Sequence, residues 1–172
     1  VKDILDLKGI KCNNRLHFYK GDLRNKDFLE NIFYSAANEG KPIDGVVHLA
    51  GLKSVSQSNE RSLIYWENNL LGTINLLMTM DKYNCDTLIF SSSATIYKNS
   101  NSNFLDEKSK IQPNNPYGNT KFAIEMLLED IFIKNRQKWK IACLRYFNPI
   151  GAHPSGMIGE TPLGSPNNIF PI

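Results

Sequence analysis

The chain has 172 residues, 41% of them hydrophobic and 10% aromatic, with a formal net charge of +3. That length and apolar share suit one domain with a buried core and argue against disorder. The charges are interspersed, without the basic runs of a nucleic-acid surface, and no apolar run reaches the roughly 18 residues that a membrane span needs.

The opening VKDILDLKGIKCNN lacks the sustained apolar stretch and small-residue cleavage site of a signal peptide. It also lacks an initiating methionine, so it reads as though it begins partway through a longer protein. Cys12, Cys85 and Cys143 are odd in number and widely spaced. This points to reduced thiols in a cytoplasmic setting, and away from a disulfide framework or a zinc site.

Leu16 to Lys20 reads as a short strand ending at Gly21-Asp22-Leu23, and Asn25 suits the cap of a helix through about Asn38. The cycle repeats with a buried-strand candidate at Asp44 to Leu49, ending at Ala50-Gly51. A helical pattern follows over Leu63 to Tyr83, with Trp66, Leu70, Ile74, Leu77 and Met78 at helical steps. Thr87 to Ser91 is the next strand, followed by the serine run Ser91 to Ser93 and a polar loop from Lys98 to Asn115. Pro116 suits the first turn of a helix to about Asn135, with Phe122, Met126, Leu127 and Ile131 as its inward stripe. Ile141 to Phe147 is the last strand, and the prolines and glycines from Pro149 to Pro166 then enforce loop.

Strands alternating with helices define an α/β fold, a parallel sheet with helices on both faces, in which ligands bind outside the carboxyl ends of the strands. The suspect clusters all fall on that rim: Asp22-Leu23, Ala50-Gly51-Leu52-Lys53, Ser91 to Ser93, and Tyr146-Phe147-Asn148. Tyr117 and Lys121, four residues apart, share one helix face. A phenol beside an ammonium is a candidate proton-transfer pair, because a nearby cation favours the phenolate. A strand-end serine could hydrogen-bond the same substrate hydroxyl. His48, within an apolar strand, reads as a satisfied core histidine. His17 and His153 have no partner at metal spacing, so no metal is expected.

The segments HLAGLKSV (48–55), ENNLLGT (67–73), SSSATIY (91–97), NPYGNTKF (115–122), LRYFNPIGAHPSGMIGE (144–160) and PNNIFP (166–171) together resemble the UDP-glucose 4-epimerases of the extended short-chain dehydrogenase/reductase family. The tyrosine–lysine spacing belongs to the whole superfamily; the AGLK and YFNPIGAHPSG segments are the specific ones. The related 4,6-dehydratases carry an Asp-Glu pair where this chain has Ala94 and Thr95, neither of which can act as an acid or base. Uronate epimerases usually lack the Gly51-Leu52-Lys53 segment.

The resemblance implies a partial NAD-binding Rossmann domain with the start of a substrate-binding region at about 148–172. It further implies NAD as cofactor and interconversion of UDP-glucose and UDP-galactose, as in galactose metabolism. Tyr117 would take the proton of the sugar 4-hydroxyl and should titrate low, Lys121 would hold the nicotinamide ribose, and Ser93 would orient the 4-oxygen. Asp22 and Leu23 match adenine-contacting positions. Leu49, Ala50, Gly51, Leu52 and Lys53 would lie along the dinucleotide, Asn68 would contact it, and Phe147 would pack by the nicotinamide. Asn148 and Asn168 match positions that bind the nucleotide sugar. A homodimer is common in the family through helices equivalent to Leu63 to Tyr83 and Pro116 to Asn135.

The chain departs from the family at Leu49, often phenylalanine, and at Asn119-Thr120, commonly Lys-Ser. It also lacks the family's initial strand, glycine-rich turn and acidic ribose reader, the main pyrophosphate anchor. The expectation is that these 172 residues alone are inactive. The alternatives are a non-catalytic truncated relative and another NAD-dependent UDP-sugar epimerase.

Overall fold

A computed structural model describes residues 16–98, 104–151 and 154. These fall into two compact units, one spanning Gly21–Phe147 and the other containing residues 16–20, 148–151 and 154.

Within Gly21–Phe147, three parallel strands lie in the order β1 (Gly45–His48), β2 (Thr87–Ser93), β3 (Lys140–Tyr146). The register pairs His48 with Phe90 and Phe90 with Cys143. Helix α1 (Lys26–Asn38) starts where Asn25 accepts from the Phe28 amide at 3.0 Å, satisfying an otherwise orphaned N–H. A short helix α2 (Val55–Glu60), absent from the sequence expectation, is capped by Ser54. The predicted helix over Leu63 to Tyr83 exists in three parts: α3 (Ser62–Tyr65), a π-helical segment Trp66–Leu71, and α4 (Gly72–Lys82). Helix α5 (Pro116–Lys134) is capped by Asn115, which accepts from the Gly118 amide at 2.8 Å, and has proline in its first turn.

The core joins Leu29 and Phe33 of α1, Leu76, Leu77 and Met80 of α4, Leu88 and Phe90 of β2, and Ile124 and Leu128 of α5. All lie on one side of the sheet. The opposite side carries Val47, Ile89 and Leu144, 60%, 36% and 39% exposed. The expected parallel sheet with helices is present, but among the described residues the helices cover one face, not both. Alternation along each strand explains it: even-numbered residues of β1 and β2 enter the core and the odd-numbered ones face away, except Ser93, which is buried at the end of β2.

Three further expectations are corrected. Residues 16–20 form no strand, since a strand needs a ladder partner and none of the described residues provides one. The run Ser91 to Ser93 does not follow its strand but is the end of β2. The inward face of α5 is only partly the Phe122, Met126, Leu127, Ile131 stripe: Leu127 and Ile131 pack partly buried against the core, but Tyr117, Thr120, Lys121, Ile124, Glu125 and Leu128 are the buried residues, and Met126 is half exposed. Polar groups can occupy this face because each finds a partner in the sheet or the neighbouring helices.

Candidate active site

The site is built where the carboxyl end of β2 meets the first two turns of α5. Ser93 ends the strand, and its Oγ accepts from the amide and hydroxyl of Thr95 at 3.2 and 3.0 Å, starting a 3-10 turn over Ala94–Ile96. Gly118 lets the helix approach that turn, since a Cβ there would sit 2.8 Å from the Thr95 carbonyl oxygen. The adjacent Tyr117 is thereby brought to Ser93. Burial pushes the Tyr117 phenol above its usual value, the Ser93 hydroxyl pulls the other way, and Tyr65 of α3 adds to the rise.

This reverses the expectation that Tyr117 titrates low. Lys121 Nζ donates to the Ser91 carbonyl at 2.7 Å and lies 5.9 Å from the Tyr117 ring centroid, nearer Phe90 at 4.8 Å. Only 5% exposed, the ammonium is itself lowered to about 8 by desolvation. In this arrangement Lys121 is a buried cation anchored to the strand, and the phenol's burial outweighs its influence.

The loop after β1 is held by Asn69, which sequence reasoning passed over in favour of its neighbour. Asn69 Oδ1 accepts from the Leu52 amide at 2.8 Å, and its Nδ2 donates to the Leu52 carbonyl at 3.1 Å and to Thr120 Oγ1 at 3.2 Å. Thr120 in turn donates to the Tyr117 carbonyl at 2.7 Å. One buried amide thus ties Leu52 to α5. A Cβ on Gly51 would meet Asn69 Oδ1 at 3.2 Å and lie 3.8 Å from Lys121 Nζ, so the loop backbone runs close over the lysine. The π-helical segment places Asn69 on this inward side; such segments recur at functional sites. Asn68 is half-buried, and its side chain makes no hydrogen bond among the described residues.

The remaining candidates are spread more widely. Leu49, Ala50 and Lys53 are exposed, as is Phe147, 63% accessible beyond β3. Asp22 is gripped by Arg24, through its amide at 2.9 Å and its guanidinium at 2.7 Å, which lowers the carboxyl to about 2. Leu23 packs against Gly72, and its carbonyl accepts from Asn75 at 3.4 Å. Asn148 is exposed in the other unit, and Asn168 lies outside the described residues.

His48 is the satisfied core histidine expected. Thr73 Oγ1 donates to the Asn69 carbonyl at 2.6 Å, so it accepts from His48 Nε2 at 2.8 Å, fixing that tautomer. Burial, with the charge of Lys121, holds His48 down at about 4. Among the described residues, no group of three or more His, Cys, Asp or Glu could hold a metal ion. Cys85 and Cys143 are free thiols, Cys143 pushed up to about 11 by burial; Cys12 lies outside the described residues.

A second buried network went unnoticed in the sequence because its members are far apart along the chain. Ser92 Oγ donates to Glu125 Oε1 at 2.5 Å, and Arg145 of β3 grips both Glu125 oxygens, at 3.1 Å from Nε and 2.7 Å from Nη2. Arg145 Nη1 also donates to Tyr97 Oη at 3.0 Å and to the Glu107 carbonyl at 3.4 Å.

A parallel sheet carrying a serine, tyrosine and lysine at its carboxyl rim beside a glycine loop defines a Rossmann-like domain of the dinucleotide-dependent kind. The sequence pattern of the NAD dependent epimerase/dehydratase family matches residues 6–162, and the chain belongs to that family. It is 50% identical over 158 residues to UDP-glucose 4-epimerase 2 of Arabidopsis thaliana, covering 92% of this chain and 43% of the relative. It is 46% identical over 171 residues to the bifunctional UDP-glucose 4-epimerase and UDP-xylose 4-epimerase 1 of Pisum sativum, covering 99% of this chain and 47% of that protein. The chain therefore spans less than half the length of these curated relatives.

Among solved structures, a UDP-glucose 4-epimerase of Stenotrophomonas maltophila with bound NAD and formylated UDP-arabinopyranose superposes with a TM-score of 0.84 at 37% identity. The match covers 97% of this chain and 48% of that one. The Bifidobacterium longum enzyme in complex with NAD+ and UDP gives 0.79 at 41% identity, over 87% and 43% of the two chains.

Proposed function

We propose that the protein carrying this chain is an NAD-dependent UDP-glucose 4-epimerase, and that Ser93, Tyr117 and Lys121 form the part of its active site that handles the sugar 4-oxygen. The observation that carries this reading is the convergence of a strand-end serine, a buried phenol and a buried ammonium beside the Asn69-braced loop. The residues fit the nicotinamide end of the cofactor. Gly51 leaves room that a Cβ would fill, the Asn68 amide is without a protein partner among the described residues, and the buried Tyr65 hydroxyl is unpaired.

Bound NAD would supply the hydride acceptor at sugar C4 and, in oxidised form, a positive ring charge favouring the phenolate. Tyr117 takes the proton of the 4-hydroxyl and returns it. Ser93 holds that oxygen in line with the phenol. Lys121, anchored on the Ser91 carbonyl, carries its charge at the base of the site and is proposed to hold a ribose hydroxyl of the cofactor. Because burial raises the phenol, positive charge beside it, from Lys121 and from the oxidised cofactor, would favour its use as a base. Leu49 to Lys53, Asp22, Leu23, Asn68 and Phe147 are proposed to line the dinucleotide, and Asn148 and Asn168 the nucleotide sugar.

The substrate pair UDP-glucose and UDP-galactose follows from the similarity to named relatives; a second reading, which adds UDP-xylose, is favoured by the bifunctional Pisum sativum relative. A homodimer is proposed to seat on α4 and α5. The groove between them is lined by the apolar Ile74, Leu77, Met78, Leu127, Ile131 and Trp139 together with Asp81, Lys134, Asn135 and Lys138, and Met78 and Ile133 stand 52% and 54% exposed. No described helix is long and apolar enough to cross a membrane.

The test is conversion of UDP-galactose to UDP-glucose by the protein carrying this chain. A Tyr117→Phe variant should lose about two orders of magnitude or more in kcat, in keeping with the loss of a general base. Undiminished turnover by that variant would overturn the role given to Tyr117. NAD+ titration of the 172 residues alone then separates a self-sufficient binding module from one that needs additional chain.

A further inference from the structure

Tyr117, Lys121 and Glu125 follow one another at four-residue steps on the buried face of α5, and the first two are accounted for by the proposed chemistry. The third is a carboxylate only 9% exposed, with no described role in binding or catalysis. Its partners come from two neighbouring strands. Ser92 of β2 donates to it, Arg145 of β3 clamps both its oxygens, and through Arg145 the pair reaches Tyr97 at the end of the 3-10 turn and the Glu107 carbonyl of the following loop. Ser92 is the residue immediately before Ser93 on the strand, so the Ser92–Glu125 bond joins the strand that bears the serine to the helix that bears the tyrosine, two turns below Tyr117.

We propose that Glu125 is a positioning residue: its bond to Ser92, locked by Arg145, sets the axial and rotational register of α5 against β2 and thereby holds the Tyr117 phenol against the Ser93 hydroxyl. This rests on the reading of Tyr117 as the working phenol of the site. The physical argument is one of leverage. The core contacts of α5 through Ile124 and Leu128 are non-directional and allow the helix to slide or roll, whereas a charge-assisted hydrogen bond between buried groups fixes distance and angle. Polar networks of this type specify one arrangement when every member is satisfied, and here Glu125 and Arg145 both are. Thr120 and Asn69 tie the same helix to the loop after β1 but make no bond to β2; Lys121 does, through the Ser91 carbonyl, and the Glu125 tie is a second direct bond between serine strand and tyrosine helix, one turn further along α5 and clamped from β3 by Arg145.

The test reads the phenol itself, so that it gives an answer even if the protein proves inactive on UDP-sugars. With 3-fluorotyrosine incorporated, the position-117 resonance is assigned by Tyr117→Phe and its titration is followed by 19F NMR alongside urea unfolding. The groups facing this phenol are Ser93 from β2, Tyr65 from α3 and Lys121 on its own helix; neither Ser92→Ala nor Glu125→Asp alters any of them. Ser93→Ala calibrates loss of the direct partner and should raise the titration. Ser92→Ala and Glu125→Asp break the tie from opposite sides without changing net charge.

Both variants should move the titration in the same direction as Ser93→Ala and by at least about half as much, a shift on the order of half a pH unit or more. The double variant should move it no further than either single one, as expected when both remove the same bond. A Ser92→Ala protein that loses stability but titrates as wild type would overturn the proposal, leaving Glu125 a structural residue only. So would a downward shift, or an unmoved Ser93→Ala control. Should Glu125→Asp fail to fold, Ser92→Ala alone decides.

Discussion

Replacing Lys121 by methionine should stabilise the fold at neutral pH while removing its function. The side chain is 5% exposed, and burial lowers its ammonium from 10.5 to about 8. At about 1.4 kcal/mol per pH unit, keeping it charged costs the folded state on the order of 3 kcal/mol. Methionine is unbranched like lysine, one atom shorter, and carries no charge. It forfeits the bond to the Ser91 carbonyl and the contact with the Phe90 ring, together worth about 1 to 2 kcal/mol. The net expectation is a gain of about 1 to 2 kcal/mol at pH 7. The sign of the pH dependence is fixed by the unfolded lysine holding its proton up to about 10.5. The penalty is therefore complete below about pH 8, declines between pH 8 and 10.5, and vanishes above. Urea midpoints of both proteins at pH 7 and pH 10.5 should show the variant ahead at the lower pH and level or behind at the higher. A Met variant that is less stable at pH 7, or whose advantage is independent of pH, would refute a desolvation origin for the lowered pKa.

His48 gives the acid counterpart. Its folded pKa, lowered from 6.5 to about 4, means the unfolded chain takes up a proton first, so stability should fall as pH drops from about 6.5 towards 4, by up to about 3 kcal/mol. A His48→Gln protein should lack that segment of the stability–pH curve. Asn69→Ala removes three buried hydrogen bonds and should cost about 2 to 4 kcal/mol, with faster amide exchange at Leu52 as the local readout. Gly118→Ala drives a methyl against a backbone oxygen that cannot rotate away. Urea unfolding should report a loss of about 1 to 3 kcal/mol, and turnover should fall as Tyr117 is displaced from Ser93.

Much of the site was legible before any coordinates because its parts are local. Asn25 and Asn115 announce helix starts through their own side chains, and Tyr117 and Lys121 share a face by helical spacing alone. The strand–helix alternation pointed to a rim, and the Gly51 loop and Ser93 do lie at the ends of β1 and β2, whereas Asp22-Leu23 follows no described strand and Asn148 falls in the other unit. The inward face of α5 was misread because a periodicity rule looks for apolar residues, and here Tyr117, Thr120, Lys121 and Glu125 point inward with their partners supplied by β2, β3 and the π-helical segment. Asn69 was overlooked beside Asn68 for a similar reason: which of two adjacent asparagines faces inward depends on the extra residue per turn of a π segment, which has no sequence signature of its own.

By itself, then, the sequence determined the alternating architecture and the family, and it singled out the serine, tyrosine and lysine proposed for the site, since these depend on residue type and short spacing. The tertiary structure decided what those groups experience. Whether Tyr117 titrates low or high turns on how much water its packing excludes and on where Lys121 points, and both are set by residues tens of positions away. The same holds for Ser92, Glu125 and Arg145. Hydrogen bonds and desolvation act through distances in space, which only the folded chain defines.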